Sequence, residues 1–142
     1  MPLIGQRNQA VGELGERAAA EYLVSRGYSL LERNFRSRGG EVDIVAKDRD
    51  GCIVFVEVKT RRSLTYGLPQ LAVTPRKQHQ ISKGALAWLS RNRRHDCPAR
   101  FDVIAVLLQD GVAPRIEHIP NAFELAYCRR SVTWISVLPS CR

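Results

Sequence analysis

Gly40-Glu-Val-Asp-Ile-Val-Ala-Lys47 and Cys52-Ile-Val-Phe-Val-Glu-Val-Lys-Thr60 are the two stretches on which the fold turns. Both alternate. In the first, Val42, Ile44 and Ala46 share one face, and Glu41, Asp43 and Val45 the other. In the second, Val54, Val56 and Val58 oppose Ile53, Phe55, Glu57 and Lys59. A period of two marks extended strands. Asp48-Arg-Asp-Gly51 between them is turn chemistry, so the pair reads as an antiparallel hairpin. A five-residue connection at 48–52 pairs residues whose numbers sum to 100, which sets Asp43 opposite Glu57. Glu57 and Lys59 leave the same face as Ile53 and Phe55, so that face is expected to be covered.

Working outward, residues 9–26 predict a helix. Val11, Leu14, Ala18 and Tyr22 form one strip, Glu16, Ala19, Ala20 and Leu23 its neighbour, and Gly27 sits where a helix would stop. The alanines beside Glu16 would let another element come close to its carboxylate. Tyr28–Arg33 predicts a short strand, and Arg36-Ser-Arg38-Gly-Gly40 a basic loop. Arg61–Val73 reads as a loop with Gly67 and Pro69. Thr74-Pro75 opens a second helix with Ile81, Ala85, Trp88 and Leu89 as its apolar stripe. Arg100–Leu108 and Arg115–Ile119 predict strands around a Gln109-Asp-Gly111 turn, and Asn121–Leu125 a short helix. The order α-β-β-β-α-β-β is that of an α/β protein, a single mixed β-sheet flanked by helices. Residues 1–125 make one domain; the tail 126–142 is left without an assigned structure.

The chain of 142 residues suits one domain, and its 44% hydrophobic and 25% charged content is that of an ordinary folded protein. Its apolar runs are far shorter than the roughly 18 residues a membrane span needs. The first residues show no secretory h-region, so a cytoplasmic protein without membrane partners is expected. The four cysteines at 52, 97, 128 and 141 have no zinc-site spacing. The net charge is +8; between Thr60 and Arg100 lie nine Lys/Arg and one acid, and the rest of the chain balances. Such a segment favours a polyanion, most simply nucleic acid.

Chemistry concentrates on the hairpin. Asp43 and Glu57 bring two hard carboxylates together with the Lys59 ammonium beside them, a set suited to Mg2+ or Mn2+. Such an ion polarises a phosphodiester oxygen and acidifies a bound water. Lys59 can orient that water or offset charge on phosphorus, and Glu16 reaches in from the first helix. The plainer alternative is a surface Glu57–Lys59 ion pair, worth about 0–1 kcal/mol.

Gly40-Glu-Val-Asp43, thirteen residues, then Glu57-Val-Lys59 resembles the PD-(D/E)xK signature of restriction-endonuclease-like nucleases, with Val42 where the signature carries proline. The wider pattern resembles the YraN-like family of small bacterial proteins. It includes Gly15-Glu16-Arg-Ala-Ala, Arg33-Asn34-Phe-Arg36, Val54-Phe-Val-Glu-Val-Lys-Thr-Arg61, Arg100-Phe-Asp-Val-Ile104 and Glu117-His-Ile-Pro-Asn-Ala-Phe123, and covers roughly residues 12–124. The resemblance implies a restriction-endonuclease-like core similar to archaeal Holliday-junction resolvases. It implies Asp43 and Glu57 as metal ligands, Lys59 as the catalytic lysine and Glu16 as the helix-borne acid.

Candidate nucleic-acid contacts are Arg36, Arg38, Arg61, Arg62, Tyr66, Arg76, Lys77, Gln78 and Lys83. Asp102, between Phe101 and Val103, reads as a structural carboxylate. The expected activity is Mg2+- or Mn2+-dependent endonucleolytic hydrolysis of DNA, ahead of RNA, with branched or structured DNA as substrate. Symmetric nicking of a junction would require a homodimer. The alternatives are a catalytically silent nucleic-acid-binding module and a partner protein in a DNA-processing complex.

Overall fold

A computed structural model describes residues 4–62 and 73–126. The elements are α1 (Ile4–Ser25), β1 (Ser29–Ser37), β2 (Gly40–Lys47), β3 (Ile53–Arg61), α2 (Pro75–Arg91), β4 (Ala99–Leu107) and β5 (Arg115–Phe123). They form one five-stranded mixed sheet in the order β1-β2-β3-β4-β5. Antiparallel β1–β2 and β2–β3 pairs are followed by a parallel β3–β4 pair, bridged by α2, and an antiparallel β4–β5 pair. This is the predicted α/β architecture in the predicted order. Most of the proposed 126–142 tail, with Tyr66 and the Gly67–Pro69 loop, lies outside the described residues.

The helices cover opposite faces of the sheet. Ile81, Ala85, Trp88 and Leu89 of α2 pack on Phe35, Val42, Val45, Ile53, Phe55, Phe101 and Val103. Ala19, Ala20 and Leu23 of α1 pack on Ile44, Ala46, Val54, Val56, Val58, Ile104 and Val106. Both faces of β3 are therefore buried, as expected for a strand with a parallel neighbour and a crossover helix.

Local chemistry explains the helix ends. Thr74 caps α2 by accepting from the Lys77 amide at 3.2 Å, with Pro75 in the first turn. Gly27, at φ 88, ends α1. The Gly27 amide donates to the Val24 carbonyl and the Tyr28 amide to the Leu23 carbonyl, a Schellman closure.

Four expectations change. Helix α1 begins at Ile4 rather than residue 9, and its buried strip is the one beside Glu16; Leu14 is 54% exposed. Gly15 decides this, because a Cβ there would lie 1.8 Å from Thr60 Oγ1, so only glycine lets α1 close on β3. Strand β1 runs on to Ser37 and takes in Arg36, which the loop reading had excluded. Residues 121–123 belong to β5, not to a helix, because buried Asp102 accepts the Asn121 amide at 2.9 Å and holds the strand across an irregularity in register. Finally, the two-residue alternation in β2 breaks at Asp43: Val42 joins the α2-side core and Ile44 the α1-side core.

Candidate active site

The break at Asp43 builds the site. Strands β2 and β3 pair as expected through Lys47↔Ile53, Ala46↔Val54, Val45↔Phe55 and Ile44↔Val56, and the ladder stops there. One residue further, the Asp43 carboxylate replaces a strand carbonyl: its Oδ2 accepts the Val58 amide at 2.8 Å. On the other side, Asn34 lies between the pairs Arg33↔Ile44 and Phe35↔Val42, and so faces Asp43. Its φ of 53 is left-handed, a conformation asparagine tolerates better than most residues. Irregular residues in adjacent strands thus open the sheet at one point, where α1 and α2 both reach it.

Glu57 follows on β3 and is 3% exposed. Its Oε1 lies 3.3 Å from Lys59 Nζ and 3.8 Å from Lys77 Nζ. Its Oε2 is buried and has no hydrogen-bond partner. Burial, and then the neighbouring Asp43 carboxylate, push the Glu57 carboxyl up to about 8, against the pull of Lys77 and Lys59. Two acids held this close in low dielectric cannot both keep their charge cheaply without a cation between them.

Glu16 enters from the α1 side. Burial and the Asp43 charge raise its pKa, while Arg33 and a hydrogen bond from Asn34 oppose the rise. Asn34 thus joins the surroundings of both Glu16 and Asp43. Sequence reasoning missed it as a site residue, although it lies in the Arg33-Asn34-Phe-Arg36 stretch of the resemblance.

Lys77, in the first turn of α2, is bonded to Glu41 and faces Glu57. Burial works against its charge, but Glu41, Glu57 and Asp43 outweigh it and raise its pKa. Its hydrogen bond holds the Glu41 carboxyl below the usual range. Glu41 was also missed; it lies two residues before the strand break.

The other candidates scatter. Arg36 is exposed and acts on Glu41 through its charge. Arg38, Arg76 and Lys83 are exposed on the β1–β2 turn and α2. Gln78 donates its side-chain amide to the Val73 carbonyl at 3.0 Å, so it secures the entry to α2. Arg61 ends β3, and Arg62 lines a separate cavity with Leu14, Leu108 and Gln109. The basic stretch from 60 to 100 does not form one face. Arg100 is drawn into the sheet by Asp102 and Asp48, and Arg91 and Arg93 lie at the far end of α2 from Lys77.

Among the described residues no three or more Asp, Glu, His or Cys converge as a metal-ligand group. What they offer is a two-carboxylate site with one buried oxygen unpartnered. That donor set fits Mg2+ or Mn2+, which commonly take one or two carboxylates and complete their shell with water and phosphate oxygens.

Fold and site together define a small α/β protein with an Asp/Glu–Lys cluster where a mixed sheet opens. Residues 15–106, which include Glu16, Asp43, Glu57, Lys59 and Lys77, match the model of "Uncharacterised protein family UPF0102", and the chain belongs to that family. Curated relatives described as UPF0102 proteins include one from Trichlorobacter lovleyi, 82% identical over 127 residues, covering 89% of this chain and 100% of the relative. Another, from Geobacter sulfurreducens, is 62% identical over 120 residues, covering 84% of this chain and 93% of the relative. One from Rhodococcus opacus is 49% identical over 116 residues, covering 82% and 98%. Among solved structures, a complex titled "Structure of EndoMS-dsDNA2 complex" overlaps at a TM-score of 0.37 and 22% identity, covering 61% of this chain and 34% of that one. An overlap of that size carries no weight for function. No helix among the described residues is long and apolar enough to cross a membrane.

Proposed function

We propose that this protein is a metal-dependent endonuclease that hydrolyses phosphodiester bonds of DNA, with branched or structured DNA as its substrate. The observation that carries the reading is the Glu57 carboxyl: buried, crowded by Asp43, with Oε2 unpartnered and its pKa raised to about 8. A purely structural carboxylate has donors for both oxygens; Glu57 has the Lys59 ammonium at Oε1 and, beside that, the Asp43 carboxyl, a second acid in place of a donor. Asp43 and Glu57 would hold Mg2+ or Mn2+, which polarises a phosphodiester oxygen and acidifies bound water.

The chain's own residues supply the rest. Asp43 is oriented by the Val58 amide and lies in side-chain hydrogen-bond contact with Glu57, so the two carboxyls would share the cation. Lys59, 3.3 Å from Glu57, offsets charge that builds on the phosphate. Glu16, half-buried with a raised pKa, would accept a proton from water on the α1 side. The exposed Arg36, Arg38, Arg76 and Lys83 provide sequence-independent contacts to the backbone.

Purified protein with Mg2+ or Mn2+ should nick one or more of duplex, flap and four-way DNA. Asp43→Asn, Glu57→Gln and Lys59→Ala should each abolish nicking in a chain that still folds. Persistence of cleavage in Asp43→Asn protein would sink the assignment. A second reading, a nucleic-acid-binding module without hydrolysis, is favoured by one observation: Lys77 and Lys59 already lie beside Glu57 and partly balance its charge. Titration calorimetry separates the two. Mn2+ binding that disappears in Asp43→Asn protein supports the nuclease; no heat, with intact DNA binding, supports the module.

A further inference from the structure

Beside the acid pair, on the α2 side, a cavity of about 280 Å3 opens between the β1–β2 turn and α2. Its lining is Arg36, Ser37, Gly39, Gly40, Glu41 and Gln80. We propose that this cavity is a subsite for a backbone phosphate of the bound strand. The proposal rests on the nucleic-acid reading above and adds to it where the strand is gripped.

The cavity is a built feature of the fold. Gly40 and Gly84 interlock the start of β2 with α2: a Cβ on Gly40 would lie 2.3 Å from the Gly84 nitrogen, and one on Gly84 would lie 2.9 Å from the Glu41 nitrogen. Neither backbone can yield, so the turn and the helix hold a fixed separation. Gly39, at φ 76, turns the chain over the mouth. A Cβ there would lie 3.7 Å from Lys83 Nζ, which places that ammonium on the rim.

The donors suit an anion. Arg36, Ser37 and Gln80, residues that carry a guanidinium, a hydroxyl and a side-chain amide, all border the cavity. Among the described residues no side-chain hydrogen bond engages Arg36 or Gln80, although the Arg36 charge acts on Glu41, and Ser37 Oγ makes only a long 3.5 Å contact to the Gly40 carbonyl. The one acid in the wall, Glu41, is bonded to Lys77. Lys77 in turn faces Glu57, so the cavity adjoins the acid pair through a single residue. Among the described residues no aromatic ring lines it. A site of this kind reads phosphate and not base, and its contribution is independent of sequence.

The test uses full-length protein carrying Asp43→Asn in EDTA, so that neither metal nor cleavage enters. A fluorescent DNA duplex and a shuffled-sequence duplex are titrated by anisotropy. Gln80→Glu, which places a second negative charge in the cavity, should weaken both duplexes about tenfold, and Arg36→Ala should reduce the salt slope by about 1. Arg115→Ala, at the start of edge strand β5, should leave affinity unchanged. Unchanged binding in both cavity variants, an equal loss in Arg115→Ala, or a loss confined to one sequence overturns the subsite. The two readings fail separately. Protein that never cleaves but whose cavity variants lose binding keeps the subsite; protein that cleaves while both variants bind normally loses the subsite alone.

Discussion

Glu57 and Asp102 are buried carboxylates on neighbouring strands, and their surroundings are opposite. Asp102 is fully buried and fully satisfied. Its Oδ1 accepts Arg100 Nε at 2.9 Å and the Asn121 amide at 2.9 Å, and its Oδ2 lies 2.7 Å from His118 Nε2. Arg100 continues the network to Asp48 at 2.7 Å and to the Tyr28 hydroxyl at 2.8 Å, and Tyr22 closes it on His118. Burial alone would raise the Asp102 pKa, but these donors outweigh it and the pKa falls. Glu57 has one oxygen near two ammoniums and one with no partner, and its pKa rises to about 8. The first arrangement joins α1, β4 and β5; the second leaves one carboxylate oxygen without a donor. A charged cluster is therefore read from its satisfaction, not from its composition.

The largest expected effect lies in the satisfied cluster. Asp102→Ala leaves Arg100 buried without its main partner and should cost about 3–5 kcal/mol in urea unfolding. A loss below about 1 kcal/mol would mean that water replaces the carboxylate and that the two clusters differ less than their geometry suggests.

The opposite sign is expected at Glu57. A carboxyl whose pKa is raised on folding gives a contribution that is complete below its unfolded value of 4.5 and is lost as pH climbs through about 8. Glu57→Gln should therefore gain stability relative to wild type as pH rises across that window, by about 1–3 kcal/mol at pH 9. Asp102 runs the other way: its contribution is present above its unfolded pKa and is lost as pH falls through the lowered folded value. Urea midpoints of both variants, Glu57→Gln and Asp102→Asn, from pH 3 to 9 should approach wild type at the acid end and part from it as pH rises, Glu57→Gln upward and Asp102→Asn downward. Parallel curves would remove the distinction.

Two smaller changes sharpen the contrast. Gly15→Ala drives a methyl into Thr60 and shifts α1, and with it Glu16, at about 1–3 kcal/mol, with Mn2+ affinity unaffected if Asp43 and Glu57 alone hold the ion. Thr74→Ala removes the α2 cap and should cost about 1 kcal/mol. It loosens the turn that carries Lys77 and leaves the Asp102 network untouched, so amide exchange should quicken around Lys77 and not around Asn121.

Much of the site was legible before the fold. The hairpin register follows from loop length and alternation, and it places Asp43 next to Glu57 because extended strands have a fixed period. The Ala19–Ala20 strip foretold that Glu16 would be closely approached. Asn34 and Glu41 were not legible, because their roles depend on an irregularity in which neither strand keeps its period. The grouping of positive charge was likewise misleading: chain proximity put Arg100 with Lys77, but the parallel crossover sends Arg100 into an acid network on the α1 side of the sheet.

By itself the sequence determined the element order, the mixed sheet, the hairpin register and the identity of the acid–lysine set, since each rests on local periodicity and short-range chain geometry. Only the tertiary structure decided that β2 breaks its alternation at Asp43, that Glu57 Oε2 is left unpartnered, and that Lys77 rather than Gln78 faces the acids. Those outcomes come from packing two helices onto opposite faces of one opened strand pair, where burial and charge balance depend on atoms far apart in the chain.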